Sequence, residues 1–242
     1  MRYGIFSDIH SNLEALEAVL KAYKRASIDK YLCVGDVVGY AANPKECIEK
    51  VKSLKTFSVA GNHDWASIDL FSLDYFNPLA AKAVIWTRDK LSEQERYFLK
   101  SFKLTFTNEN LTLVHGTLDD PTVFSYLRSI QSAGPTFELL NNALCFVGHT
   151  HVPGVFIQNE NRSIDYVNGE TLKLEKNKKY IVNTGSVGQP RDGNPQASYC
   201  IYDTDKKTVW IKRSDYDFKA AGKKIIAAGL PDFLAARLAV GR

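Results

Sequence analysis

Polar residues that can bind metal ions occur in several groups along this chain, and each group follows a short apolar run. The groups are Asp8-Ile9-His10, Gly35-Asp36, Gly61-Asn62-His63-Asp64, Val114-His115-Gly116 and Gly148-His149-Thr150-His151, and together they contain all 5 histidines of the chain. Imidazole nitrogens and side-chain oxygens without cysteine suit divalent transition metals. This distribution predicts a metal site assembled from distant parts of the sequence.

Each motif also has a structural explanation when it is taken alone. Asp8 could cap the helix that follows it, and Gly-Asp and Gly-Asn are common turn pairs. Polar groups nevertheless follow the first three predicted strands in succession, at the sheet edge where ligands bind in open α/β proteins. Residues two apart in an extended backbone face the same side, so Asp8 and His10 can converge on one ion, and His149 and His151 have the same spacing in a backbone expected to be extended.

The elements that position these motifs begin with βαβ units. Strands are predicted at Tyr3–Phe6, Tyr31–Val34 and Thr56–Val59, and helices at Asn12–Arg25 and from Asn43-Pro44 onward. The alternation of short apolar runs with amphipathic stretches favours a parallel sheet. The first polar groups should therefore meet at one edge of that sheet.

The rest of the chain divides into a helical stretch, a strand-rich stretch and a helical tail. Further strands are predicted at Leu111–Val114, Leu144–Val147, Gly154–Gln158, Ser163–Val167, Tyr180–Asn183, Tyr199–Tyr202 and Thr208–Lys212. We expect one domain over 1–242, with a helical insertion at about 65–103 and a helical tail at about 217–242 that breaks at Gly229-Leu230-Pro231. The late hairpins indicate a second, mixed sheet.

Composition limits the classes of partner. The 242 residues are 45% hydrophobic, enough for one core, and 31 basic residues exceed 27 acidic ones only slightly. No run of like charges indicates nucleic-acid binding, and no apolar run indicates a signal peptide or a membrane span, so we expect a cytoplasmic protein without a membrane partner. The 4 cysteines form no C-x-x-C pair and are predicted to be buried free thiols. The sequence is also compatible with a homo-oligomer.

In this order, D-x-H, G-D, G-N-H-D, H-G and G-H-T-H resemble the motifs of the calcineurin-like metallophosphoesterase family. The resemblance continues through Asn183-Thr184-Gly185-Ser186-Val187-Gly188-Gln189-Pro190-Arg191 and through Gly229-Leu230-Pro231 with Arg237-Leu238, as in the small bacterial and archaeal phosphodiesterases of the family. It implies an α/β fold, a four-layer α-β-β-α sandwich of two mixed β-sheets flanked by helices.

The resemblance also implies two divalent metal ions and a ligand for each position. One ion would be held by Asp8, His10, Asp36 and His151, and the other by Asp36, Asn62, His115 and His149, with Asp36 as the bridge. Two ions about 3.5–4 Å apart can hold a bridging hydroxide that attacks a phosphoryl group. The donor set suits Mn, Fe, Ni, Co or Zn, and the resemblance favours manganese.

His63 adjoins the ligand Asn62 without being assigned to an ion, which leaves its imidazole free to stabilise developing charge or to protonate the leaving oxygen. Asp64 could orient His63, or it could cap the helix that begins there. Asn62 also belongs to the predicted substrate-binding set. The motifs therefore predict His63 and Asp64 as the catalytic residues.

Gly185 and Ser186 could offer backbone donors near the metals, and Arg191 could contact a substrate phosphate through its guanidinium. The alternative is a Gly/Pro turn with an exposed arginine. The aromatic residues Phe71, Tyr75 and Trp86 are expected to belong to the core rather than to the site.

These features predict a metal-dependent hydrolase of a small phosphate ester, acting on phosphodiesters or phosphomonoesters. A nucleotide or dinucleoside polyphosphate, or a nucleic-acid end, would use the same metal site with a different pocket. A third possibility is a non-catalytic protein-binding scaffold, such as the retromer subunit that resembles these enzymes. The presence of His63 and of every expected ligand argues against the scaffold.

Overall fold

A computed structural model describes residues 1–242, and its strands form two six-stranded sheets that pack face to face. The strands are β1 (Arg2–Phe6), β2 (Lys30–Cys33), β3 (Phe57–Ser58), β4 (Thr105–Thr107), β5 (Thr112–Val114), β6 (Leu144–Val147), β7 (Gly154–Gln158), β8 (Ile164–Val167), β9 (Thr171–Lys173), β10 (Lys179–Asn183), β11 (Ala197–Asp203) and β12 (Thr208–Ser214). Helices cover the outer face of each sheet. The predicted four-layer α-β-β-α sandwich is confirmed.

The helices lie mainly in the first half and at the end of the chain. They are α1 (Leu13–Ala26), α2 (Pro44–Ser53), α3 (Asn62–Ala66), α4 (Pro78–Lys90), α5 (Glu93–Lys100), α6 (Ile130–Leu139), α7 (Phe218–Ala227) and α8 (Asp232–Ala236), with short 3-10 helices at Leu73–Tyr75 and Arg237–Ala239. None of them has the length and apolar character needed to cross a bilayer.

The first sheet has the strand order β3-β2-β1-β11-β12-β9. Its β1, β2 and β3 are parallel, as the βαβ pattern predicted, and β11 adds to β1 in the antiparallel direction. The late hairpin of β11 and β12 therefore completes the sheet that the N-terminal strands begin.

The second sheet has the order β4-β5-β6-β10-β7-β8. Its three central strands, β5, β6 and β10, are parallel, and the remaining pairs are antiparallel. Both sheets thus contain a group of parallel strands, so several loops leave the sandwich at carboxyl ends of strands and can meet there.

Side chains that alternate along the strands build separate cores on the two faces of each sheet. In β6, Leu144 and Phe146 belong to the core between the sheets, whereas Cys145 and Val147 belong to the core beneath α6. All four cysteines are buried free thiols, which confirms that prediction.

The structure adds elements that the sequence pattern did not predict. Strands β4 and β9 have only 3 residues each. Helix α6 contains both Gly134 and Pro135, which oppose helix formation. It forms because Ser129 caps its first turn and because Ala133 and Phe137, four residues apart, are both buried against the second sheet.

The predicted helical stretch and tail are both helical in the structure. Leu99 and Phe102, at and after the end of α5, join the core that covers the first sheet. Helix α4 packs instead with α7 and α8. The tail breaks at Gly229, whose φ is +71°. The division into one domain with an insertion remains a prediction.

Candidate metal centre

The loops that carry the predicted ligands meet where the carboxyl ends of the two sheets adjoin. In the first sheet, the backbone N–H of Asp8 donates to Gly35 O at 2.9 Å and that of His10 to Asp36 O at 3.0 Å. The second sheet is linked to the first because the His149 N–H donates to Asp8 Oδ2 at 3.0 Å. These hydrogen bonds bring ligands from distant parts of the chain together.

The ligand loops are not extended, which corrects the expectation for the D-x-H and H-T-H motifs. Asp8, His10 and Asp36 have φ values of 53°, 50° and 55°, and those of His149 and His151 are 66° and 61°. Each left-handed residue costs about 1–3 kcal/mol, and such strain concentrates at functional sites. The side chains converge because the backbone turns sharply, and not because a strand presents them on one side.

The donor atoms form three overlapping groups: two match the predicted ligand sets, and the third joins His63 to His10 and Asp36. In the first, His10 Nε2 lies 3.0 Å from His151 Nε2, and His151 Nε2 lies 3.1 Å from Asp8 Oδ1. In the second, His115 Nε2 lies 3.3 Å from Asp36 Oδ2, with His149 close by. Asp36 Oδ2 is also 3.6 Å from His10 Nε2, so this carboxylate lies between the groups.

Four of the predicted ligand atoms are buried without a hydrogen-bond partner. They are Asp8 Oδ1, Asp36 Oδ2, Asn62 Oδ1 and His115 Nε2. Leaving a buried polar atom unsatisfied costs about 1–3 kcal/mol, and native proteins seldom do so without a functional reason. Carboxylate and amide oxygens beside imidazole nitrogens are suitable donors for divalent cations. The residues present therefore fit metal ions.

Backbone carbonyls orient three of the histidines. His10 Nδ1 donates to Val38 O at 3.1 Å, and His115 Nδ1 donates to Val34 O at 2.7 Å. His151 Nδ1 donates to Gln189 O at 2.6 Å. A carbonyl can only accept, so each bond places the proton on Nδ1 and turns Nε2 toward the centre, as in many metal sites.

Electrostatics keep the two carboxylates ionised. Burial opposes ionisation, but His151, His10 and His115 together hold the pKa of Asp8 well below its usual range, and His115 and His63 do the same for Asp36. Burial lowers the pKa of His149 to about 3 and that of His151 to about 3. Burial opposes protonation of His115, but Asp36 and Asp8 raise its pKa to about 9, so a cation that binds there would replace a proton. Anionic oxygens and neutral imidazoles are the forms that bind cations.

His63 lies against this centre on α3. Its backbone N–H donates to Asp36 Oδ1 at 2.8 Å, and its ring centroid is 4.7 Å from that of His10. The ring also contacts Tyr40 and Phe76, at 4.4 and 4.8 Å between centroids, and its buried Nδ1 has no partner. The predicted catalytic histidine is therefore next to the ligands.

Asp64 does not orient His63, which corrects one of the two roles considered for it. Its carboxylate accepts hydrogen bonds from the backbone N–H groups of Asp36, Val37 and Val38, at 2.8, 2.8 and 3.2 Å. It also accepts from Gly61 N at 3.1 Å, which caps α3 as the alternative expected. Both oxygens are thus occupied with the backbone of the Asp36 loop, away from the imidazole.

The structure corrects the role expected for Gly185. Its N–H donates to Asn183 Oδ1 at 2.9 Å, so it is not free to bind a substrate. The Ser186 hydroxyl donates to Asp8 O at 2.8 Å and accepts from Gln189 N at 2.8 Å, which stabilises the backbone that carries Asp8. The backbone donor expected from Ser186 remains a prediction.

Arg191 lies at the cavity above the metal ligands, together with Asp36, Asn62 and His149. Its guanidinium donates to Tyr40 Oη at 3.2 Å and to Gln189 Oε1 at 2.8 Å, which holds it in place. The alternative of an exposed turn arginine is not observed.

The sequence pattern did not place Tyr40 or Tyr126 at this cavity, and it assigned Tyr75 to the core. Tyr40 packs on His10 and His63, and Tyr126 stacks on His149 with ring centroids 3.9 Å apart. Tyr75, expected in the core, is 78% exposed and lines the same cavity. Among the three, only Tyr40 could have been expected near the site from the sequence, because it follows the G-D motif closely. The contact of Tyr126 with His149 arises only in the folded chain.

Residues 1–207 match the model of the calcineurin-like phosphoesterase superfamily domain. The chain therefore belongs to the calcineurin-like phosphoesterase superfamily, and its fold, its cluster of histidines and aspartates and its order of motifs agree with that membership. The family makes it a hydrolase that acts on phosphate esters, and it implies bound divalent metal ions.

Three similar proteins support the assignment. A metallophosphoesterase from Sphaerobacter thermophilus is 41% identical, with a TM-score of 0.89 over 100% of this chain and 99% of that chain. An uncharacterized protein from Methanocaldococcus jannaschii is 41% identical over 99% of this chain and 98% of its own length. The phosphodiesterase YfcE of Escherichia coli is 27% identical over 86% of this chain and 91% of its own.

Proposed function

We propose that this protein is a two-metal phosphodiesterase that can also act as a phosphomonoesterase. In this proposal one ion is held by Asp8, His10, Asp36 and His151, and the second by Asp36, Asn62, His115 and His149. The Escherichia coli relative is named a phosphodiesterase, which supports the choice of reaction.

The observation that carries the proposal is the set of unpaired ligand atoms. Asp8 Oδ1, Asp36 Oδ2, Asn62 Oδ1 and His115 Nε2 are buried without partners in one small cluster. An anionic cluster without a counter-ion would be costly to bury, whereas cations coordinated by these atoms would compensate the charge. Mixed nitrogen and oxygen donors without cysteine suit Mn, Fe, Ni, Co or Zn, and the resemblance to the family makes manganese the first ion to test.

When bound, two such ions lower the pKa of a water molecule and stabilise the attacking and leaving oxygens of a phosphoryl transfer. His63 would stabilise the charge on the leaving oxygen or protonate it, and Tyr40 and Phe76 hold its ring in place. Arg191 would bind a phosphoryl oxygen, since its guanidinium faces the same cavity.

The test is hydrolysis of bis(p-nitrophenyl) phosphate and p-nitrophenyl phosphate, side by side, by protein stripped of metal and then loaded with Mn, Fe, Ni, Co or Zn. We expect metal-dependent release of p-nitrophenol, faster from the diester. The absence of hydrolysis of either ester with any of these ions would contradict the proposal and favour a non-catalytic scaffold.

The buried free cysteines are typical of a reducing compartment, which supports a cytoplasmic location.

A further inference from the structure

A large cavity adjoins the metal centre beside the C-terminal helices. Its volume is about 460 Å³, and its lining includes Tyr40, Asn77, Leu79, Arg191, Phe233 and Arg237. Burial of Leu234 and Leu238 against α4 and α7 fixes the last helical segment at this place. Arg237 belongs to the motif that follows Gly229-Leu230-Pro231 and takes no part in the metal centre.

This cavity borders the cavity above the metal ligands, because Tyr40, Asn77 and Arg191 line both. The cavity above the ligands measures only about 50 Å³, which is room for a few water molecules at roughly 10–15 Å³ each. Most of an organic substrate must therefore lie outside it. The adjoining cavity falls within the usual range for ligand pockets, roughly 300–1,000 Å³.

The adjoining cavity contains two arginines, Arg191 and Arg237, that form no ion pair with an aspartate or glutamate, and Arg237 Nε donates to Arg242 O. The arginines that form ion pairs are Arg2, Arg88, Arg96 and Arg213. Arg191 and Arg237 are not among them. Burial and the nearby charge of Arg191 lower the pKa of Arg237 to about 10, so the two guanidinium groups repel one another. An anionic group bound between them would relieve this repulsion.

We propose that Arg237, beside Arg191, binds a second phosphate group of the substrate, beyond the ester that is hydrolysed. The inference rests on the proposed function and names its substrate class: phosphate esters whose leaving group carries a further phosphate. Tyr40, which lines this cavity, contacts His63, so the cavity lies on the side where the leaving oxygen would be protonated. Leu79 and Phe233, 38% and 55% exposed, offer apolar surface to the carbon atoms between the phosphates.

A second cavity of about 360 Å³ lies on another side of Arg191 and contains Arg128. It shares only Arg191 with the cavity above the ligands. Arg128 lies 3.9 Å from the ring of Tyr126, which stacks on His149. Arg128 therefore provides an internal comparison for Arg237, because both arginines border the same centre on different sides.

The test is calorimetric binding of α,ω-alkanediol bisphosphates, and of alkyl monophosphates of the same chain length, to the manganese-loaded full chain. In Arg237→Gln we expect bisphosphates to bind about tenfold more weakly, with monophosphates nearly unaffected, since one charge-assisted contact is lost. Arg237→Lys should recover part of the affinity. Arg25→Gln, an exposed change at the far end of α1, should bind both series as the natural chain does.

Two results would overturn the inference. One is equal loss of mono- and bisphosphate affinity in Arg237→Gln when thermal unfolding shows it to be folded. The other is selective loss of bisphosphate binding in Arg128→Gln and not in Arg237→Gln, which would place the second phosphate in the other cavity. Binding is measured apart from hydrolysis, so a chain that binds bisphosphates through Arg237 but hydrolyses no ester would contradict only the proposed function.

Discussion

At the scale of single residues, the histidines differ in what their ring nitrogens contact. His10, His115 and His151 donate from Nδ1 to backbone carbonyls and turn Nε2 toward the carboxylates. His63 has no partner at Nδ1 and is held by aromatic contacts with Tyr40 and Phe76. Rings fixed in this way suit metal ligands, whereas no backbone carbonyl fixes the His63 ring.

We predict that His63→Ala retains metal but loses most of its turnover. Removing a general acid typically lowers kcat by about 10²–10⁴-fold. Bound metal is measured by mass spectrometry and kcat with bis(p-nitrophenyl) phosphate. As a matched comparison, His115→Ala should lose metal as well as activity, because His115 Nε2 lies among the ligand atoms. A His63→Ala protein with full activity would exclude His63 from the mechanism.

At the scale of loops, close packing of glycines against the ligands fixes the geometry. A Cβ on Gly61 would lie 2.0 Å from Asp36 Oδ1, and a Cβ on Gly148 would lie 2.5 Å from Asp8 Oδ2. Real side-chain carbons do not approach other atoms so closely. The glycines in the G-N-H-D and G-H-T-H motifs are therefore needed for the ligand positions as well as for the turns.

We predict that Gly148→Ala weakens both metal affinity and the fold. Its Cβ would lie 2.1 Å from Ser7 Oγ, so the loop must shift, at a cost of about 2 kcal/mol in the free energy of unfolding. The measurement is urea unfolding together with metal titration. Gly169→Ala is the control: a Cβ there has open space in the loop between β8 and β9, and it should change the free energy of unfolding by no more than about 0.5 kcal/mol. Unchanged metal affinity in Gly148→Ala would contradict this reasoning.

The carboxylate of Asp64 also holds two loops together, because it joins the start of α3 to the Asp36 loop. We predict that Asp64→Asn lowers the free energy of unfolding by about 3 kcal/mol, since an amide directs N–H groups at backbone N–H donors. Asp89→Asn, on the exposed side of α4, should change it little. A stable Asp64→Asn protein with a specific fall in kcat would instead support the rejected role of orienting His63.

At the scale of the whole molecule, the sequence predicted the strands and loops whose positions depend on local patterns of apolar and turn residues. The parallel strands β1, β2 and β3 and the polar groups after them follow from apolar runs and turn residues. Helix α6 was not predictable, because Phe137 and Ala133 stabilise it through contacts with the second sheet. The contact of Tyr126 with His149 and the left-handed backbone at Asp8 likewise depend on contacts between sheets.

The metal centre should also affect the stability of the whole fold, since it joins loops from both sheets. Ions that bind only the folded chain stabilise it by about 2.7 kcal/mol when their free concentration is a hundred times Kd. We therefore predict that a chelator lowers Tm and that added manganese restores it. Asp36→Asn should show a smaller shift because the bridging carboxylate is lost. Identical Tm values with and without chelator in the natural chain would contradict this prediction.

The most direct test of the two-metal assignment is to measure hydrolysis of bis(p-nitrophenyl) phosphate while manganese is titrated into metal-free protein and bound metal is counted. The assignment predicts two ions per chain, with full activity only when the second is bound. Maximal activity with one ion per chain, or with none, would contradict it.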